Sequence, residues 1–77
     1  MDIQATIDEL KKESGLLLDE SVKIMELIFN VTDAFPEIKM ECVRTHPATK
    51  GLCDKHFENE RKRKAIWKAI EALEAIV

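Results

Sequence analysis

Apolar positions recur along the first half of the chain with steps of four and three. Ile3, Ile7, Leu10, Ser14, Leu17, Ser21, Ile24, Ile28, Val31 and Phe35 hold this rhythm without a break. A mean spacing of 3.5 is the a/d seam of a helix that packs along one side. It predicts one long helix over about residues 2–35. Gly15 disfavours a helix interior, yet the phase survives across it, with Leu10 and Leu17 one heptad apart. One helix bent near Gly15 is therefore preferred to two shorter ones joined near residues 14–19. Ser14 and Ser21 fall in the seam; small polar residues there permit close helix approach but weaken the apolar contact. From Leu16 onward the apolar surface widens, because Leu18, Val22, Met25 and Phe29 form a second stripe beside the first. A helix apolar over two stripes needs more than one packing neighbour.

Phe35-Pro36 marks a boundary, since the residue before proline avoids helical angles and proline suits a first helical turn. A short helix over about 36–46, with Ile38, Cys42 and Val43 inward, is expected. The alternation of Ile38, Met40 and Cys42 also suits a strand, but such a strand has no pairing partner. Pro47 to Gly51 (PATKG) reads as a turn, and residues from about 52 to 77 as a final helix. Its apolar face is Leu52, His56, Ile66, Ile70, Leu73 and Val77, helped by Ala65, Trp67, Ala69 and Ala72. The stretch Glu58 to Lys64 (ENERKRK) is wholly polar and is assigned to water or to a subunit edge. The expected fold is a single all-α domain over 1–77: a long N-terminal helix, a short middle helix and a C-terminal helix packed as a helical hairpin or three-helix bundle.

Size sharpens the picture. A chain of 77 residues buries a small core, and chains of this length gain stability from a metal, a disulfide or a partner subunit. With its doubly apolar first helix, this favours a homodimer, with Leu17, Ile24, Ile28, Val31 and Phe35 as the self-association seam and Trp67 and Phe57 anchoring the last helix. The net charge of −3 argues against broad nucleic-acid affinity. It divides unevenly: residues 1–38 carry three Lys against nine acids, a net −6, and residues 39–77 carry nine Lys or Arg against six acids, a net +3. The halves can attract each other, within one chain or between two. No apolar run exceeds three residues (Leu16 to Leu18), and the start of the chain is acidic and amphipathic rather than basic then apolar, so no leader or membrane span is expected. A cytoplasmic site follows, where two cysteines stay reduced or bind metal.

All the Cys and His of the chain lie within fifteen positions: Cys42, His46, Cys53 and His56. If both flanks are helical, Cys42 and His46 share one face at i,i+4, and Cys53 and His56 share one at i,i+3. The intervening turn would fold the pairs together, and two thiolates with two imidazoles can surround zinc tetrahedrally. The segment Gly51-Leu52-Cys53-Asp54-Lys55-His56-Phe57, with Cys42 upstream and Arg61 to Lys64 following, resembles a zinc-knuckle segment of small phage and bacterial nucleic-acid proteins. That resemblance covers about fifteen residues and implies zinc as cofactor and a nucleic-acid partner. It lacks a closely spaced Cys pair upstream, and Pro47 disfavours helix at His46. The competing reading, which carries more weight, makes both cysteines small core residues and requires no cofactor.

Other chemistry is sparse. Lys50, Lys55, Arg61 and Arg63 are candidate anion contacts, although a helix spreads consecutive charges around its axis. No Gly-rich phosphate loop is present, Ser14 and Ser21 have no neighbouring His in sequence, and no enzyme activity is expected. Two functions emerge. One is a non-enzymatic protein–protein interaction module, adaptor- or inhibitor-like, acting as a helical homodimer. The other is a zinc-stabilised helical module that binds nucleic acid through the basic surface of residues 50–68.

Overall fold

A computed structural model of the chain describes residues 2–77 and is helical apart from turns and both ends. Helix α1 spans Ile3–Ala34 and helix α2 spans Lys50–Glu74. They are joined by a string of turns that includes one 3-10 turn at Met40–Cys42. The molecule measures 52 × 16 × 13 Å.

Local chemistry sets the helix ends. The Asp2 carboxylate accepts from the Gln4 N–H at 3.0 Å and caps one of the unpaired donors at the start of α1. Helix α1 runs unbroken through Gly15. It stops at Phe35, whose N–H reaches Val31 O, because Pro36 prevents the next turn. At the far side of the connection the Thr49 hydroxyl does not cap α2 but donates to Val43 O at 2.6 Å. This bond ties the start of α2 to the turn before it, and Thr49 is fully buried.

The two helices form an antiparallel hairpin. Trp67 Nε1 donates to Ser14 Oγ at 2.9 Å, and Asn59 Nδ2 donates to Glu20 Oε1 at 3.0 Å; as α1 ascends, α2 descends. The a/d seam of α1 is the contact line: every member from Ile3 to Val31 is buried or half-buried, and only Phe35 is exposed. At the loop end, Ile24, Ile28, Ile38, Val43 and Cys53 make a cluster flanked by Met25, Val31 and Leu52. Towards the open end the core narrows to buried Ile7 and Ile70.

Four expectations are corrected. The middle helix over 36–46 is a set of turns with one 3-10 turn, so the described residues form a two-helix hairpin rather than a three-helix bundle. Within that connection Ile38 and Val43 point inward as expected, but Cys42 is exposed. The turn closes earlier than residue 51, since Lys50 and Gly51 already belong to α2. The polar middle of α2 does not simply face water: Asn59 is 0% exposed and Arg63 is half-buried. Leu52, His56, Asn59, Arg63, Ile66, Ile70 and Leu73 thus continue one seam in steps of four and three, with polar side chains in its centre.

Candidate interaction face

The centre of the hairpin is a polar layer. The buried Ser14 and Ser21 of α1 face a stretch of α2 containing Asn59, Arg63 and Trp67. Two long-range hydrogen bonds hold it, those of Asn59 to Glu20 and Trp67 to Ser14, with a 3.8 Å ion pair from Lys55 to Glu20 beside them. Ser21 Oγ, His56 Nδ1, Asn59 Oδ1 and Arg63 Nε are buried without a protein partner. Unpaired buried groups weaken a core, so this layer contributes less stability than its two hydrogen bonds alone would suggest.

One side of the hairpin is apolar and uncovered. The second stripe of α1 lies there: Leu18, Val22 and Phe29 are 42%, 49% and 47% exposed. With Ser21, Met25, Glu26, His56 and Glu60 these side chains line a groove of about 280 Å³. A neighbouring hollow of about 320 Å³ at the loop end shares Met25 and His56 and adds Met40, Arg44, Cys53 and Phe57. Phe57 takes the Arg44 guanidinium on its face at 4.3 Å and the His56 ring edge-on at 5.5 Å between centroids. Further along α2, Glu60, Arg63, Lys64, Trp67, Lys68 and Glu71 line a third hollow, joined to the first through Glu60. Aromatic and aliphatic groups are thus exposed together on this side and rimmed by charge.

The predicted interface residues therefore divide. Ile24 and Ile28 are buried in the hairpin's own core, and Leu17 and Val31 are half-buried along the same seam. These four join α1 to α2 within one chain and do not offer a free surface. Phe35 and Trp67 are exposed, at 52% and 42%. The free apolar surface is instead the second stripe of α1, which was visible in the sequence as a feature needing a neighbour.

The four Cys and His side chains are not gathered. Among the described residues no group of three or more His, Cys, Asp or Glu side chains converges as metal ligands would. His46 Nδ1 accepts from Ala48 N–H at 3.0 Å, inside the turn that Pro47 imposes. Cys53 is buried, its Sγ donating to Val43 O at 3.4 Å, and desolvation raises its pKa above the ordinary 9.0 even though the Arg44 charge works the other way. Cys42 is exposed in the connection. His56 packs at the rim of the groove.

The candidate anion contacts are also scattered. Lys55 pairs with Glu20 and Arg63 with Glu60 at 3.0 Å. Lys62 pairs with Glu58 at 3.1 Å, and that hydrogen bond, with the Lys55 charge, lowers the Glu58 pKa. Lys50 and Arg61 are exposed, one at the first residue of α2 and the other eleven positions on. No family model, curated protein or solved structure matches the chain. No helix of the described residues is long and apolar enough to cross a membrane.

Proposed function

We propose that this chain is a non-enzymatic protein–protein interaction module that works as a homodimer of helical hairpins. The observation carrying this reading is the surface left over after the chain has folded on itself. Its accessible area is 5605 Å², whereas a compact monomer of 8.8 kDa has about 4,800 Å². The excess of roughly 800 Å² matches the share that each partner contributes to a standard protein interface. The radius of gyration, 16.4 Å, likewise exceeds the roughly 11.5 Å of a compact domain of this length. A two-helix hairpin is one layer, and a second layer over the apolar side would complete a four-helix bundle. The Leu18, Val22, Met25 and Phe29 stripe would then enter a core, and the polar groups of the central layer would gain neighbours.

Light scattering on a size-exclusion column at micromolar concentration tests this. A mass of twice 8.8 kDa is expected. A monomer mass together with a cooperative melt would overturn it.

A further inference from the structure

We propose that the hollow at the loop end of the hairpin binds one copper(I) ion through Cys53, His56, Met25 and Met40. The site lies within one chain, so it does not rest on the homodimer reading. Residues 2–77 hold four sulfur atoms, and three of them belong to side chains that line this one hollow of about 320 Å³: Met25, Met40 and Cys53. The His56 ring lines it with them.

The fold accounts for each member. Cys53 and His56 are three residues apart on α2 and so share a face one turn apart. The Trp67–Ser14 and Asn59–Glu20 bonds set the register of the antiparallel helices. Continued towards the loop, that register puts Met25 level with residues 54–56, between Cys53 and His56. Met40 comes from the 3-10 turn. Its carbonyl accepts from the Val43 N–H at 3.4 Å, and Val43 O accepts from Cys53 Sγ at 3.4 Å, which sets this turn against Cys53.

The donor set selects the ion. Zinc is held by thiolate, imidazole and carboxylate. Thioether and thiolate sulfur together favour copper(I), which also accepts imidazole. Charge points the same way. One thiolate and a monovalent ion are neutral together, whereas a divalent ion leaves a surplus charge that is costly in apolar surroundings. The charged residues lining the hollow, Glu41 and Arg44, are opposite in sign.

Binding exchanges a proton for the ion. The Cys53 S–H bond is replaced by an S–Cu bond, and the proton leaves to solvent. Val43 O loses the thiol donor but keeps the Thr49 hydroxyl at 2.6 Å, so no buried carbonyl is stranded. His56 Nδ1 is buried without a protein partner, and its ring meets Phe57 edge-on. Ligation through the ring therefore breaks no hydrogen bond at that atom.

Competition for copper(I) against the coloured chelator bicinchoninate, without oxygen, tests the site on the full-length chain. Cys42→Ser first removes the exposed thiol, which would bind copper by itself. The Cys42→Ser chain is expected to withdraw one copper(I) per chain. Two further changes are made in that background. Met25→Leu with Met40→Leu removes both thioethers at nearly constant volume, and His56→Gln removes the imidazole. Each is expected to weaken binding by about tenfold or more, since even groups behind the ligands of a metal site contribute about 10–100-fold. No copper withdrawn by the Cys42→Ser chain would overturn the site. So would an affinity unchanged by both further changes, which would leave a simple thiol complex at Cys53.

Discussion

Ser14 and Ser21 occupy equivalent seam positions one heptad apart and are almost equally buried, at 3% and 2%. Their hydroxyls differ. Ser14 Oγ accepts from Trp67 Nε1, while Ser21 Oγ has no protein partner. A paired group contributes about 0.5–1.5 kcal/mol, and an unpaired buried one is a liability. Ser14→Ala is therefore expected to lower unfolding free energy by about 1 kcal/mol, and Ser21→Ala to leave it unchanged or raise it by a few tenths. Urea unfolding of the two variants checks this; equal losses would refute the distinction. The cysteines differ in a similar way. Cys42 is exposed and Cys53 buried with a raised pKa, so a thiol reagent is expected to modify Cys42 quickly and Cys53 only as the fold opens. The pH dependence follows from the sign of the shift. Burial of the neutral Cys53 thiol supports the fold fully below the ordinary value of 9.0, and that support is lost as pH rises through it towards the higher folded value. Thiol counting against time, repeated in denaturant, separates the two sites; equal rates in native buffer would contradict the buried assignment.

At the scale of elements, α1 was legible because its seam is written in apolar residues, and even its two serines kept the phase. The seam of α2 is equally regular, but Asn59 and Arg63 hold its central positions. A hydrophobic pattern cannot register a contact made by polar side chains, so ENERKRK reads as a stretch facing water or a subunit edge. The connection departs from its pattern for a related reason. Ile38 and Cys42 are spaced by four, as on one helical face, but the chain between Pro36 and Pro47 makes turns that bury Ile38 and Val43 and leave Cys42 exposed. The four Cys and His residues were close in sequence, yet closeness along a chain does not bring side chains together. The Thr49–Val43 bond and the His46–Ala48 bond hold the turn instead. Gly15 offers a direct test of helix continuity. It lies inside α1, and a Cβ there meets nothing within 4 Å. Gly15→Ala is expected to stabilise by about 0.5–1 kcal/mol through the unfolded chain's lost freedom. For a domain of this size that is a rise of several degrees in melting temperature, at about 4–8 °C per kcal/mol. A fall in melting temperature would place a bend or a close neighbour at that residue.

For the whole molecule, the deciding property is how stability depends on concentration. The hairpin buries seven apolar side chains: Ile7, Ile24, Ile28, Ile38, Val43, Cys53 and Ile70. At the same time it leaves Leu18, Val22, Phe29, Phe57 and Trp67 more than a third exposed. A core this thin must order two long helices against a backbone entropy of about 1–2 kcal/mol per residue. In the proposed homodimer, covering the open face would add apolar burial that a lone chain does not reach, and folding would be coupled to association. Coupled folding makes the melting temperature rise with protein concentration, because mass action favours the species that binds. The expected result is a melt that shifts upward by several degrees between low and high micromolar protein, with a mass that falls to the monomer value at the dilute end. Val22→Glu and Phe29→Glu each place a charge within the uncovered stripe while leaving the α1–α2 seam untouched. Each is expected to abolish the concentration dependence and lower the melting temperature. The exposed Leu27 lies outside the groove, so Leu27→Glu is expected to retain the wild-type mass and melt. If Leu27→Glu dissociated the molecule while Val22→Glu did not, the contact would lie on the opposite side of α1. If the wild-type melt were independent of concentration over that range, the hairpin would be stable alone and its exposed stripe would need another explanation.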